Sequence, residues 1–514
     1  MDESYRTTLT NEMGEKVEVS MADLLENNVD KLVSDYTREM SGWAALKSKV
    51  GVGTPKQLDE YKGFLVKRSK EAGDREPERA FDIAFNSVLG RSTEDAPHSM
   101  WSRASRMVRS QAFLTSMGQV GYTMLAEVGP TVAAVGWRTA LKAIPGSAAL
   151  VRRMANGELK STEARFLEDI CAPGTDLLRN QPYLRHDDIG STVWDRSTAT
   201  GRVLNTVDTA QQYGQRYLSI MSGMAPIQSS MQRYAGRASA LRMIELANKG
   251  DLPEALTHRL RNYGLNEADQ KAIFKRLAGM KKVDDIAQSW DTWAPKERSA
   301  FSAYMWRVTR HQVMEGDVGD SIQLMHSSIG KVFVQFRTFM TSSYTRHMLN
   351  GLHMRDMQAA NMVVTSTFFA GIGMAARNYV NTVNDTEMRE KLMTSENLAK
   401  QAFQQSSYSS VIPFMVDTMA YDLGLKKALG GEDKPVFAYG RSTGLDSGVK
   451  GIPALSLAQS AWGAAKLPVT ALDPDSDITQ KQVKDAMKLL WFQNMTGIRN
   501  GVSEFAKLFP EESN

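Results

Sequence analysis

Twenty consecutive residues without a formal charge, Met357 to Ala376, constrain this chain more than any other feature. As a helix the run is about 30 Å long, the thickness of a bilayer core, so its length permits membrane insertion. Phe368, Phe369, Gly371, Gly373 and Met374 lie in its second half, and small residues among large ones let another helix approach closely. Gln358, Asn361, Thr365, Ser366 and Thr367 pull the other way, because each polar group needs a partner that lipid does not supply. Two environments therefore suit the run: a helix packed against protein, or one that also enters a membrane.

The residues just before it predict an amphipathic helix. From Lys331 to Met340, then Tyr344 and His347, the chain is basic and aromatic, with Val332, Phe336, Phe339, Met340 and Ser343 recurring on one helical face. A second apolar region spans Ser102 to Ala149. There Arg103, Arg106 and Arg109 precede an apolar stretch beginning at Phe113, which is interrupted at Gly129-Pro130 and followed by Trp137-Arg138. Such a hairpin suits a membrane surface, with the arginines near headgroup phosphates and Trp137 at the interface. It also suits two buried helices whose arginines extend to solvent.

Composition narrows the function classes. With 62 basic and 58 acidic residues the net charge is +4, so the chain as a whole is no electrostatic binder of nucleic acid, and any DNA contact is local. Cys171 is the single cysteine, which excludes an internal disulfide framework and a thiolate zinc site, and it reads as a small buried hydrophobe. The seven histidines show no metal-ligand spacing; His353 and Asp356 are one turn apart, but two groups make no site, and no metal or cofactor is expected. The 29 methionines suit surfaces that repack in more than one environment, or a Met-filled core. The first residues lack the apolar core of a secretory signal, so synthesis in soluble form is expected.

Read in order, the chain predicts an all-α fold of elongated multi-helix bundles with long loops and a flexible C-terminal arm. A length of 514 residues argues for two to four units. The punctuation divides it into an N-terminal helical region over 1–100, the apolar hairpin region over 101–175 and a hinge or loop over 176–205. A central helical domain follows over 206–400, then a loop-rich arm over 401–476 and a C-terminal helix over 477–514. Gly51 to Lys56 resembles a phosphate loop only superficially and reads as a helix-helix turn. Asp251 and Glu254 predict a capping box, Asn266 a cap, Gly264 and Gly279 helix stops, and Thr479 with Gln482 a further capping box. On the last helix Val483, Met487, Leu490 and Trp491 share a face. The alternation at Val17-Glu18-Val19 is too short to predict a sheet. His186-Asp187-Asp188 sits among glycine and proline and reads as turn and cap residues.

Val334-Gln335-Phe336-Arg337-Thr338-Phe339, then Tyr344, Arg346-His347 and Gly351, resembles a motif near the end of the internal virion proteins, or DNA-ejection proteins, of short-tailed bacteriophages. Related segments occur in phage polyvalent proteins. The resemblance extends to Gly223 through Pro226, Tyr234 through Arg237 and Tyr263 through Asn266, covering Thr206 to Val380. It implies a structural, non-enzymatic protein held in the virion interior and ejected into the host periplasm and inner membrane. There it would form part of a trans-envelope conduit, with other ejection proteins, phage DNA in transit and the host inner membrane as partners. A conduit around a duplex implies a homo-oligomeric ring with heterologous interfaces. The wall-cleaving glutamate of some such proteins has no counterpart, since Glu3-Ser4 and Glu512-Ser513 are the only Glu-Ser pairs and no catalytic residue is assigned. The alternative is a soluble virion scaffold or core protein that never enters the membrane. For either, the expected membrane or interface residues are Arg103, Arg106, Arg109, Phe113, Trp137, Phe336, Phe339, Phe368, Phe369, Gly371 and Gly373.

Overall fold

A computed structural model describes residues 6–10, 16–20, 29–74, 76–94, 99–144, 162–171, 198–250, 252–314, 326–333, 338–409, 412–417, 419, 436–437, 453–465, 467 and 478–510. Among the described residues the fold is all-α apart from one hairpin. In that hairpin β1 (Arg6–Thr10) pairs antiparallel with β2 (Lys16–Ser20), with Arg6 opposite Ser20 and Thr10 opposite Lys16. The Val17–Val19 alternation thus does form a strand, contrary to expectation. Its pairing partner is near in sequence, so five residues per strand suffice.

Helices follow in order: α1 (Val29–Val50), α2 (Pro55–Glu71), α3 (Pro77–Val88), α4 (Met100–Ser116), α5 (Val120–Met124), α6 (Val128–Val135), α7 (residues 137–144) and α8 (Thr162–Cys171). Then come α9 (Ala199–Met221), α10 (Met224–Lys249), α11 (Glu254–Asn262), α12 (Glu267–Leu277), α13 (Val283–Ser289) and α14 (Pro295–Gln312). Next are α15 (Ser328–Phe333), α16 (Thr338–Ser343), a π-helix (Tyr344–Leu349), α17 (Asn350–Met354) and α18 (Met357–Asn381). The described elements end with α19 (Thr386–Leu392), α20 (Ser395–Gln405), α21 (Ile412–Asp417), α22 (Pro453–Ala465), α23 (Gln480–Met487) and α24 (Ile498–Ala506). The His186–Asp188 turn and most of the 401–476 arm lie outside the described residues.

Local chemistry sets many of these ends. Thr54 caps α2 through Gln57 N–H, and Gly51 takes φ +77 after α1, so Gly51 to Lys56 is a helix-helix turn. Asn266 accepts from Asp269 N–H at 2.9 Å, and Gly264 and Gly279 follow their helices at positive φ. Thr479 and Gln482 close the expected capping box. Two expectations need correction. α11 begins at Glu254 with Pro253 at its cap, and Asp251 lies outside the described residues. The last helix is split: α23 stops at Met487, the chain turns through Phe492 at φ +64 and Gly497 at φ +86, and α24 follows. That turn is held by the end of α4, where the Gln111 amide donates to Leu489 O at 2.8 Å and receives the Trp491 indole N–H at 2.7 Å. Tertiary hydrogen bonds here outweigh a helical pattern that is locally adequate.

The chain forms two compact units. The first comprises 1–107, 183–213 and 322–331, and its apolar core is Leu46, Val52, Leu58 and Leu89, joined by Trp43, Tyr61 and Phe85. It also buries an ion pair, Lys331 Nζ to Glu94 at 2.7 Å, beside a His326 to Thr93 hydrogen bond of 2.8 Å. The second unit comprises 108–182, 214–321 and 332–514. Its centre is α10, against which Phe166, Leu167 and Ile170 of α8, Ile273 and Leu277 of α12, and Phe301 and Met305 of α14 assemble one core. Phe113, Leu114, Leu218 and Val313 form another. Cys171 is buried in the core around α10, and burial pushes its thiol up to about 12, the environment of a packing cysteine.

Candidate functional site

Within the second unit α18 combines two faces of opposite chemistry. Asp356 caps it, accepting from Ala359 N–H at 2.9 Å, and hydrogen bonds from the Arg259 guanidinium hold the Asp356 carboxyl below its usual value. The inward face is largely polar or small: Ala359, Met362, Thr365, Ser366, Ala370, Gly373, Met374, Arg377 and Asn378. Its polar groups are used. Thr365 donates to Gly129 O at 2.9 Å, Arg377 to Gln119 Oε1 at 3.2 Å, Asn378 to Gln401 at 2.8 Å and Asn381 to Gln119 at 3.0 Å. Small residues allow the close approach that these bonds need. The backbone of Gly129 lies against Ser366, and that of Gly373 against the carbonyl of Tyr122, with no room for a Cβ at either.

The outward face is apolar and open. Met357, Val364 (68% exposed), Phe368 (54%), Ile372 and Tyr379 recur at helical spacing without a charge among them. Among the described helices α18 alone is long and apolar enough to cross a membrane. Exposing large side chains while burying Thr365, Ser366, Arg377 and Asn378 inverts the usual order for a water-facing helix.

A second helix extends this surface. α7 turns Ala140 and Ala143 inward, and Glu245 receives the Thr139 hydroxyl at 2.6 Å and the Lys142 ammonium at 3.0 Å. Burial raises the Glu245 carboxyl, but those two hydrogen bonds and the charges of Lys142 and Arg242 outweigh it and leave the group below its usual value. Facing out from α7 are Trp137 (50%), Arg138, Leu141, Lys142 and Ile144. The two helices meet in an aromatic trio: Trp137 stacks on Phe369 at 5.8 Å and meets Phe368 edge-on at 6.2 Å, while Phe368 and Phe369 are 5.3 Å apart.

The expected interface residues divide accordingly. Trp137, Phe368 and Phe369 come together at the surface. Gly373 lies at a close helix contact, whereas a Cβ at Gly371 would make only ordinary contact, 3.4 Å from Ala402 Cβ. Phe113 is core, at 3% exposure. Arg106 and Arg109 are buried and Arg103 is half-buried, so burial leaves none of the three openly presented to headgroups. Phe336 lies outside the described residues, as does the side chain of Phe339, whose backbone belongs to α16. Gly129-Pro130 opens α6 rather than separating two helices. Sequence reasoning stopped at Trp137-Arg138 and missed Leu141, Lys142 and Ile144, although Trp137, Leu141 and Ile144 at i, i+4 and i+7 already mark one helical face.

This arrangement offers adhesion to an apolar or amphipathic partner through an uncharged stripe bordered by cations. No protein-family model, curated protein or solved structure matches this chain.

Proposed function

We propose that this chain is a structural internal virion protein of a short-tailed bacteriophage, carried in the virion interior and ejected into the host at infection. In the periplasm and inner membrane it joins other ejected proteins, as a homo-oligomeric ring, in a trans-envelope conduit through which phage DNA passes. The role is structural and not enzymatic. The observation that carries this reading is the inverted burial of α18, an apolar outward face on a helix whose inward face is bonded to protein. Soluble monomers rarely expose contiguous apolar surface of this kind without a partner to cover it. The motif from Val334 to Gly351 directs the reading to the phage ejection proteins.

A second reading, a virion scaffold that stays out of the membrane, draws support from the same inward face, since Arg377, Asn378 and Asn381 are satisfied by protein. Mass spectrometry of purified particles, before and after genome release, tests both. The ejected conduit requires the protein in full particles and its loss from emptied ones. Retention after release selects the scaffold, and absence from full particles overturns both.

A further inference from the structure

The two faces of α18 also define how it can meet lipid. Spanning the bilayer would strip the helix from its neighbours, leaving Thr365, Arg377, Asn378 and their partners Gly129, Gln119 and Gln401 unsatisfied in hydrocarbon. Presenting only the outward face breaks none of these bonds. α7 lies alongside, joined through Trp137 to Phe368 and Phe369, and its exposed side mixes Trp137, Leu141 and Ile144 with Arg138 and Lys142 and carries no acid. An apolar face bordered by cations, with an aromatic residue at the rim, is the pattern of a helix lying in the plane of a membrane interface. Glu245 already takes one side of Lys142, while Arg138, exposed on the same helix, has no ion-pair partner among the described residues. Arg355, exposed beside Met357, adds a second at the start of the stripe.

We propose that α7 and α18 form a monotopic docking surface for an anionic phospholipid membrane. Trp137, Leu141, Ile144, Val364, Phe368 and Ile372 enter the headgroup boundary, Arg138 and Lys142 meet phosphates, and α18 lies in the plane without spanning. This deepens the conduit reading and rests on its membrane stage.

The test is flotation of the full-length protein on phosphatidylcholine vesicles with and without phosphatidylglycerol, followed by an alkaline carbonate wash. Binding should require phosphatidylglycerol, weaken with salt and be released by carbonate. Arg138→Gln and Lys142→Gln should each weaken it roughly fivefold. Val364→Glu, at an exposed position, should remove binding while the thermal melt stays in place, and Ile372→Glu repeats the test at a second exposed position. Failure to float on anionic vesicles, retention through carbonate, or binding indifferent to these variants each overturns the proposal. Particle mass spectrometry remains independent. A protein found in virions that ignores anionic vesicles loses the docking surface but keeps its virion role, and one that floats yet is absent from virions does the reverse.

Discussion

The backbone of Gly373 in α18 lies directly against the carbonyl oxygen of Tyr122 in α5, leaving no space for a side chain. A Cβ at Gly371, two residues earlier, would make only an ordinary contact to Ala402. The pair separates packing from helix propensity. Gly373→Ala should lower stability by about 1–3 kcal/mol through overpacking, while Gly371→Ala should be neutral or raise it by up to ~1 kcal/mol as a better helix former. Urea midpoints of the two variants check this, and equal effects would remove the close-contact account.

What was legible beforehand follows from the range of the forces involved. Caps at Asn266 and Thr479 could be read because a cap is settled by residues three apart. The direction in which α18 faces could not be read, because it carries apolar residues on both sides, and the choice between lipid and core assumed one environment all round. The distant groups Gln119, Gly129 and Gln401 decide which side is buried. Arg106 and Arg109 left two readings open for the same reason: an arginine before an apolar run suits a headgroup anchor or a buried helix alike until tertiary packing buries it. Trp137 was legible as a surface residue, but its partners Phe368 and Phe369 lie more than two hundred residues away.

In the first unit the buried pair of Lys331 and Glu94 makes a double-mutant test. Burial disfavours the Glu94 carboxylate, but the Lys331 ammonium, the Ser102 hydroxyl and the Arg106 charge outweigh it, so Glu94 stays ionised below its usual value. Lys331→Met strands that carboxylate and should cost about 3–5 kcal/mol. Adding Glu94→Leu should recover much of the loss. A double variant as unstable as the single one would show that the pair is not the main interaction at this position.

Glu127 gives the second unit a pH dependence of unusual sign. It is buried, its only partner among the described residues is the Met314 backbone N–H, and burial pushes its carboxyl up to about 8. Because the folded value lies above the unfolded 4.5, the stability it permits is complete below pH 4.5 and declines as pH rises toward 8. Glu127→Gln keeps the shape without the ionisation. Its urea midpoint should exceed that of the wild type at pH 8 by the equivalent of roughly 1–3 kcal/mol and match it near pH 5.

His311 and His347 supply the opposite slope. Their rings are 5.3 Å apart, and His347 Nε2 lies 2.7 Å from the His311 carbonyl oxygen, which fixes that nitrogen as a donor. His311 meets the Tyr263 hydroxyl at 3.3 Å and the Asn350 amide at 2.9 Å, so both ring nitrogens are engaged. Burial lowers both groups, His347 to about 4, and the nearby cation Arg346 adds to it, while the carboxylate of Asp356 is committed to Arg259. A folded value below the unfolded 6.5 means that the imidazoles support the fold fully above pH 6.5 and lose that support as pH falls toward 4. Two histidines against one glutamate leave stability rising up to about pH 6.5 and falling beyond it toward pH 8, so the second unit should be most stable near pH 6.5. His347 sits on the π-helix, a short segment of wider i→i+5 hydrogen bonding, so hydrogen exchange at Tyr344–Leu349 should rise first on acidification. His347→Gln, which keeps a donor without titrating, should flatten stability between about pH 4.5 and 6.5, where His311 alone then offsets Glu127, and leave the alkaline slope of Glu127 above pH 6.5 unchanged. An unchanged acid limb in that variant would assign the slope to other groups.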